Sequence, residues 1–283
     1  MSISITDHPS DQESDTELNS VSATPVGSKR ETNAHNARRR AQPSSSSLQD
    51  ICNLLRLNLV LKPRTAGEPE PRFQHHQFKA GELIYRMGQT FTVLYIVQYG
   101  FLKTVLRNAE GDERVLSFPM QGDLLGFDGI YRNRTTSDTE ALTDCDLITL
   151  PFKQLLAPGH TNGELEQMIY SATSREIALE RCGMGLSITV KSEARVARFL
   201  AMQSKRYTNL GYSSKNFLLP MTRREMGSYL GLTLETISRS LSALATAGII
   251  SVNRRDIHIL RPELLILPPN FPLLPEEATP PAA

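Results

Sequence analysis

The chain has 283 residues, of which 40% are hydrophobic and 22% are charged. This length is sufficient for two ordinary domains with a core each. The absence of any run of about 18 apolar residues excludes a membrane-spanning helix, and the polar N-terminus lacks the apolar stretch of a secretory signal. Cys52, Cys145 and Cys182 lie far apart, which argues against a disulfide framework and predicts a cytoplasmic protein.

The net charge of +1 hides an uneven distribution along the chain. Residues 191–261 contain twelve Lys and Arg but four Asp and Glu, a net charge of +8, so the rest of the chain carries −7. Such a basic segment indicates binding to a polyanion. A solvated basic face without a partner is the alternative that charge alone leaves open.

The N-terminal part of the chain divides into a polar extension and a β-rich domain. Residues 1–48 are rich in Ser, Asn, Asp and Thr, and we expect a disordered extension whose arginine run at 38–40 either contacts DNA phosphates or keeps the tail soluble. Residues 49–160 contain short apolar runs separated by Gly and Asp turns, which predict a β-roll of the sandwich or jelly-roll type. The clearest runs are Leu94–Val97, Leu102–Leu106, Val115–Phe118 and Cys145–Leu150.

A long helix is predicted within residues 161–190, and it has two apolar faces. One face repeats every seven residues, and the other lies about 140° around the axis. The first therefore packs on the β-domain and the second is expected to pair with a partner helix, although burial within one chain remains an alternative. The first face comprises Leu165, Ala172, Leu179 and Leu186, and the second, the dimerisation face, comprises Tyr170, Thr173, Ile177, Met184 and Ile188.

Residues 191–262 contain the most specific pattern in the chain. Thr222 and Glu225 have the spacing of a capping box, and the helix that they begin ends at Gly231. Thr233 is a suitable N-cap for a second helix, and Gly227 leaves room for a close crossing of the two helices. Two helices joined by a glycine turn over about twenty residues predict a helix-turn-helix whose second helix enters a DNA major groove.

The second helix has a polar face near its N-terminus. Arg239 can donate two hydrogen bonds to guanine, and Glu235 can accept one from cytosine, each contact discriminating by about 1–3 kcal/mol. The apolar segments that follow predict a β-hairpin wing with a basic tip and then a C-terminal tail at 263–283. The expected DNA-binding residues are Thr222, Arg223, Glu235, Thr236, Ser238, Arg239, Arg254 and Arg255.

From about Phe78 to Leu260 the chain resembles the Crp/Fnr superfamily of transcription regulators, and its Fnr branch most. The resemblance rests on Gly122–Asp128 in the β-roll, on Leu218–Arg223, and on Tyr229–Arg239. It implies an α+β protein with an N-terminal cyclic-nucleotide-binding-like β-roll, a long dimerisation helix and a C-terminal winged helix-turn-helix.

The resemblance also implies a function and partners. Family members bind double-stranded DNA as homodimers, and the Fnr branch reads an inverted repeat of the type TTGAT-N4-ATCAA through a Glu, a Ser and an Arg. By residue type these are Glu235, Ser238 and Arg239. The turn around Gly111 and Asp112 resembles a loop that contacts RNA polymerase, although an ordinary hairpin turn is an equal alternative.

Two departures from the family bear on the cofactor. Cyclic-AMP-binding relatives have Gly-Glu and then Arg-Ser or Arg-Thr at the phosphate, whereas this chain has Phe127 and Asp128 after Gly126, and its Thr135-Thr136 aligns with the second pair. Oxygen-sensing relatives hold a four-iron cluster with four cysteines, three of them near the N-terminus. This chain has only Cys52 in that region, and Cys145 lies three residues before the β-roll position, Ile148. Neither cyclic AMP nor an iron–sulfur cluster is therefore expected.

Two other classes of function remain as alternatives. A jelly-roll metal enzyme needs several converging His and carboxylate ligands, but His75 and His76 are neighbours on one strand and point to opposite faces. A β-roll module that binds a ligand without binding DNA would not depend on Arg239. The sequence favours the DNA-binding regulator over both and predicts no enzymatic activity.

Overall fold

The computed structural model describes residues 45–57, 59, 61, 71–108, 110–152, 163–185 and 191–266. Residues 45–266 belong to one compact unit. Residues 1–44 and 267–283 lie outside the described part. These ranges contain most of the predicted N-terminal extension and most of the predicted tail. Within the described residues, no helix combines the length and the apolarity that crossing a membrane requires.

The N-terminal domain is built from two antiparallel sheets. One sheet has the order β1 (Ser45–Ser46), β2 (Phe73–Phe78), β9 (Cys145–Pro151), β4 (Val93–Tyr99) and β7 (Leu124–Leu125). The other has the order β3 (Leu83–Tyr85), β8 (Asp138–Ala141), β5 (Leu102–Arg107) and β6 (Glu113–Ser117). Tyr85 and Leu102 of the second sheet share a buried cluster with Val97 and Leu147 of the first, so the two sheets pack face to face. The predicted β-roll is confirmed.

The β-roll begins earlier than the sequence suggested. Ser45 and Ser46 pair with β2, and helix α1 (Leu48–Leu55) follows, with Ser47 and Asp50 forming a complete capping box. Leu48, Ile51, Cys52 and Leu55 are buried against the β-roll and the long helix. The prediction that disorder extends to residue 48 is therefore wrong for residues 45–48.

The long helix, α2 (Gly163–Gly185), has the two faces that its sequence predicts. Leu165 and Ala172 are buried in the chain's own core, whereas 70% of Tyr170 and 69% of Met184 are exposed. Leu186 and Ile188, which were assigned to the two faces, lie outside the described residues. The helix therefore packs on one side within its own chain and leaves an apolar surface on the other.

The C-terminal domain is a winged helix-turn-helix. Helix α3 (Ser192–Asn209) precedes β10 (Asn216–Leu218), the helix pair α4 (Arg223–Leu230) and α5 (Leu234–Thr246), and the hairpin of β11 (Ile250–Asn253) and β12 (Asp256–Ile259). The strands form a sheet in the order β10-β12-β11. Leu265 is buried in the core of this domain, so the predicted tail beginning at 263 starts too early.

Candidate DNA-binding interface

The first helix of the pair begins as its sequence predicts. The Thr222 hydroxyl accepts a hydrogen bond from the backbone N–H of Glu225 at 3.2 Å, and the Glu225 carboxylate accepts one from the N–H of Thr222 at 2.7 Å. This reciprocal pair satisfies two N–H groups that a helix start leaves unpaired. Burial raises the pKa of Glu225, but the hydrogen bonds from Thr222 and Lys103 together lower it by more, so the net shift is downwards. The hydroxyl of Thr222 therefore has a structural role in addition to any contact with DNA.

Two glycines set the turn between the helices. Gly231 has φ 65° and ψ 40°, the left-handed conformation in which a side chain is strained. A Cβ atom on Gly227 would lie 2.6 Å from the carbonyl oxygen of Leu232, so this residue makes room for the turn backbone itself. Helix α5 then starts at the Thr233 cap, whose hydroxyl accepts from the N–H of Thr236 at 3.2 Å.

Helix α5 presents its predicted polar face to solvent. Ile237, Leu241 and Leu244 are buried beneath it, while Glu235 and Arg239 are exposed. Hydrogen bonds from the backbone N–H of Glu235 and from the Thr233 hydroxyl lower the pKa of the Glu235 carboxyl, and the charge of Arg239 lowers it further. Glu235 is therefore an ionised acceptor one helical turn from a cationic donor.

Three other predicted residues of the interface, all arginines, lie in different environments. Arg223 donates to the Ser238 hydroxyl at 3.2 Å, which joins the two helices across the predicted interface. Arg254 lies at the tip of the wing with φ 54° and is exposed. Arg255 donates to the carbonyl oxygen of Pro220 at 2.9 Å, so it anchors the wing to the segment before α4.

The helix pair is docked on the β-roll of its own chain, which sequence reasoning did not foresee. The Ser228 hydroxyl accepts from the N–H of Val115 at 2.9 Å and donates to the carbonyl oxygen of Glu113 at 3.1 Å. Lys103 of β5 binds Glu225 at 3.1 Å and Glu113 at 3.0 Å. The sequence around Ser228 and Glu225 does not indicate that these residues bind partners in the β-roll, which lie far away along the chain.

Aromatic rings fill the contact between the two domains. The Tyr229 ring of α4 lies 5.4 Å from that of Phe118 and 5.7 Å from that of Phe199, measured between centroids. A Cβ atom on Gly183 would lie 2.3 Å from the Tyr229 hydroxyl oxygen. Gly183 is therefore the residue of the long helix that lets this tyrosine approach it.

The sequence aligns Thr135-Thr136 with a phosphate-binding pair of cyclic-AMP-binding relatives. In the structure, hydrogen-bond donors of this segment form a cradle around a carboxylate of the same chain, that of Asp128. The Asp128 carboxylate accepts from the N–H and the hydroxyl of Thr136, both at 2.8 Å, and from the Ser137 hydroxyl at 3.0 Å. Arg134, one position out of register in the sequence, donates instead to the carbonyl oxygen of Gly88 at 2.7 Å. The chain's own carboxylate thus takes the donors of this cradle.

All three cysteines are buried. Burial raises the pKa of each thiol, and that of Cys145 reaches about 11, although hydrogen bonds to Phe101 and Thr143 partly offset the effect. A thiol with a raised pKa is a weak nucleophile and a poor metal ligand at neutral pH.

The two histidines of β2 differ in environment. His76 is exposed, and His75 bonds to Asp146 at 3.1 Å and to the Ser46 hydroxyl at 2.9 Å. His75 therefore joins the first strand to the β-roll. Among the described residues, no group of three or more His, Cys, Asp and Glu side chains is arranged to hold a metal ion.

The turn resembling a polymerase-contact loop is exposed. Gly111 has φ 87°, and the N–H of Asp112 donates to the Asn108 side chain at 2.7 Å. The described residues of this turn, 108 and 110–112, lie between β5 and β6.

Comparison with known proteins agrees with this architecture. Residues 75–158 match the cyclic nucleotide-binding domain family, and residues 194–266 match the Crp-like helix-turn-helix domain family. The transcriptional activator protein Anr of Pseudomonas protegens is 30% identical over 229 residues, which cover 81% of this chain and 91% of that protein. The chain belongs to the Crp/Fnr family of transcription regulators.

Other members of the Crp/Fnr family support the same assignment. The transcriptional regulatory protein Btr of Bordetella pertussis is 33% identical over 180 residues, or 64% of this chain and 74% of that protein. The solved structure of FixK2 from Bradyrhizobium japonicum has a TM-score of 0.61 at 26% identity, and the match covers 68% of this chain and 95% of FixK2. This Crp/Fnr protein is therefore a DNA-binding transcription regulator, as the sequence predicts.

Proposed function

We propose that this regulator binds, as a homodimer, an inverted repeat of the type TTGAT-N4-ATCAA. The proposal is carried by the N-terminal face of α5, on which Glu235 and Arg239 are exposed and Ser238 is partly exposed, above a buried apolar face. An ionised acceptor and a guanidinium one turn apart suit hydrogen bonding to cytosine and guanine edges in one half-site. The exposed wing arginine, Arg254, suits an adjacent phosphate.

The outer face of α2 supports the homodimer. Tyr170, Ile177 and Met184 expose apolar surface along this face. Beside it runs an apolar groove of about 1210 Å³, whose walls include Phe127, Ile130, Tyr131, Phe152, Ile169 and Tyr170. A second copy of the same helix would cover both surfaces in a symmetric, self-complementary contact. Two recognition helices would then read the two halves of one inverted repeat.

The proposal includes no iron–sulfur cluster and no cyclic AMP. The Asp128 carboxylate takes the donors at the position of the nucleotide phosphate, and it would repel a second anion there. The buried, high-pKa thiol of Cys145 lies among backbone carbonyl groups. The exposed turn of Gly111 and Asp112 is the surface that we assign to RNA polymerase, and a regulator with these partners acts in the cytoplasm.

Binding of Arg239→Ala to the inverted repeat tests the proposal. Removal of a bidentate contact to guanine costs about 1–3 kcal/mol, so we expect weaker binding and a relaxed preference at one base pair in each half-site. Fluorescence anisotropy on the repeat and on duplexes with single base changes measures both effects. Unchanged affinity and unchanged base preference would show that α5 does not read the bases.

Arg254→Ala is the matched control on the wing. Since a phosphate contact carries no sequence information, this variant should bind all duplexes more weakly by the same factor. The slope of log K against log salt should be shallower by about one for each phosphate that the variant no longer neutralises. Wild-type binding that is insensitive to salt from about 50 to 200 mM would contradict groove binding altogether.

A further inference from the structure

A small cleft lies where α1, the turn before β7, α2 and α3 meet. Its volume is about 60 Å³. It is distinct from the Asp128 cradle, since none of the residues that form that cradle lines it. Arginines from three of the four segments line it, together with the turn and two amide residues. The polar lining residues are Arg56, Gln121, Asp123, Arg175, Arg206 and Asn209.

Arg56 has no side-chain partner among the residues that the structure describes. It follows α1 in the left-handed conformation, with φ 53° and ψ 43°, and it is half-buried. Within the described part of the chain, its guanidinium has neither a hydrogen-bond acceptor nor an ion-pair partner. Burial lowers the pKa of Arg56, and the positive charge of Arg175 lowers it further. A half-buried guanidinium beside a second cation is unfavourable unless an anion joins them.

The other two arginines are held firmly in place. Arg175 of α2 donates to the carbonyl oxygen of Leu55 at 2.6 Å, to that of Gly122, and to Glu176 at 3.0 Å. Its buried Nε atom has no acceptor among the described residues. Arg206 of α3 donates to the carbonyl oxygen of Phe118 at 3.0 Å and to the Asp123 carboxylate. The cleft therefore has rigid cationic walls.

The acids near the cleft do not balance its positive charge. Asp123 pairs with Arg206 and also accepts from the N–H of Met120 at 2.8 Å. Burial raises the pKa of Glu176 to about 8, and the charge of Asp123 contributes, against the opposing effect of Arg175 and Arg206. Glu176 does not line the cleft. Among the lining residues, three guanidinium groups therefore face one carboxylate, that of Asp123.

We propose that this cleft binds a phosphate-sized oxyanion between Arg56, Arg175 and Arg206. A water molecule needs about 10–15 Å³ of such space, so 60 Å³ holds about four to six waters, which is comparable with a tetrahedral anion of five heavy atoms. Planar guanidinium groups suit oxyanions because they can donate pairs of hydrogen bonds. The anion would bind Arg56 at the end of α1 and Arg206 of α3. It would thereby connect the N-terminal segment of the β-roll to the DNA-binding domain.

Calorimetric and thermal titration of the full chain with inorganic phosphate tests the site. Ionic strength is held constant with chloride, and a small phosphate monoester is titrated in parallel. We expect saturable binding and a melting temperature that rises with phosphate concentration, because a ligand that binds only the folded state stabilises it. Tighter binding of the monoester would also support the site and would identify an organic phosphate as its occupant. Wild-type protein that shows no saturable binding of either anion would overturn the proposal.

Variants separate this site from the DNA interface. Since a charged hydrogen bond is removed, Arg56→Gln should bind phosphate about tenfold more weakly or worse, and Arg56→Lys should retain part of the affinity. Arg114→Gln, an exposed arginine of β6 outside the cleft, and Arg239→Ala, in the DNA interface, should bind phosphate as wild type does. An equal decrease in Arg114→Gln or Arg239→Ala would place the anion elsewhere. Operator binding by Arg56→Gln in phosphate-free buffer should remain intact, so the two proposals can fail separately.

Discussion

At the scale of single residues, Gly227 sets how closely the first helix of the DNA-binding unit approaches its own turn. Because Gly227 lies inside helix α4, helix propensity alone would favour alanine over glycine at this position by about 1 kcal/mol. The carbonyl oxygen of Leu232 occupies the space that a Cβ atom would need, at 2.6 Å. Backbone cannot rotate away as a flexible side chain can, so packing overrides helix propensity at this position.

Gly227→Ala should therefore destabilise the protein by about 1–3 kcal/mol, because the overlap forces the turn to move. Urea unfolding measures this decrease in stability, and operator binding should weaken with it, since the turn positions α5. Gly163→Ala is the matched control, because no atom of the described residues outside its own helix backbone and chain neighbours lies within 4 Å of its Cβ position. It should stay within about 0.5 kcal/mol of wild type. A neutral Gly227→Ala would mean that the helix pair can relax without cost.

At the scale of elements, one buried lysine ties α4 to the β-roll. The side chain of Lys103 is 10% exposed and lies 3.0 Å from Glu113, 3.1 Å from Glu225 and 3.5 Å from Glu140. Burial alone would lower the pKa of Lys103, but its hydrogen bonds to Glu113 and Glu225 raise it overall. The ammonium group therefore stays charged and offsets part of the negative charge of three carboxylates at the junction of the two domains.

Lys103→Met should lower the free energy of unfolding by about 2–3 kcal/mol, because it leaves these carboxylates to repel one another in a half-buried site. Lys79→Met provides the comparison, since the Lys79–Asp144 pair is 71% and 32% exposed and should contribute about 0–1 kcal/mol. Urea unfolding at neutral pH measures both variants. Equal destabilisation of the two variants would show that the Lys103 cluster does not hold the domains together.

At the scale of the whole molecule, the outer face of α2 determines the proposed assembly. An isolated chain exposes 70% of Tyr170, 39% of Ile177 and 69% of Met184 to water along a single helix. Aligned apolar surface of this kind marks an interface. The hydroxyl oxygen of Thr173, on the same helix, is buried without a hydrogen-bond partner among the described residues.

Ile177→Glu should convert the dimer into a monomer, because two carboxylates would be buried against each other across the symmetry axis. Sedimentation velocity measures the change in mass, and affinity for the inverted repeat should fall because a monomer engages only one half-site. Met87→Glu, at an exposed methionine of the β-roll, should remain dimeric. A dimer that persists in Ile177→Glu would place the interface on another surface.

The helix-turn-helix could be predicted from the sequence because its signals are local. Thr222 with Glu225, Gly231 and Thr233 lie within a dozen residues of one another, and each works through hydrogen bonds to its own backbone. The capped start of α1 was missed, although Ser47 and Asp50 carry the same kind of signal, because the polar composition around them favoured disorder. The cleft arginines could not be predicted, because Arg56 and Arg175 meet only through tertiary packing.

The sequence by itself determined the order of domains, the α+β class, the helix caps and the exposed reading face of α5, because periodicity and capping act over a few residues. Only the tertiary structure decided that Asp128 fills the β-roll cradle, that Ser228 and Glu225 dock the helix pair on the β-roll, and that three arginines share one cleft. Charges and hydrogen-bonding groups far apart in the chain acquire partners only when the fold brings them together.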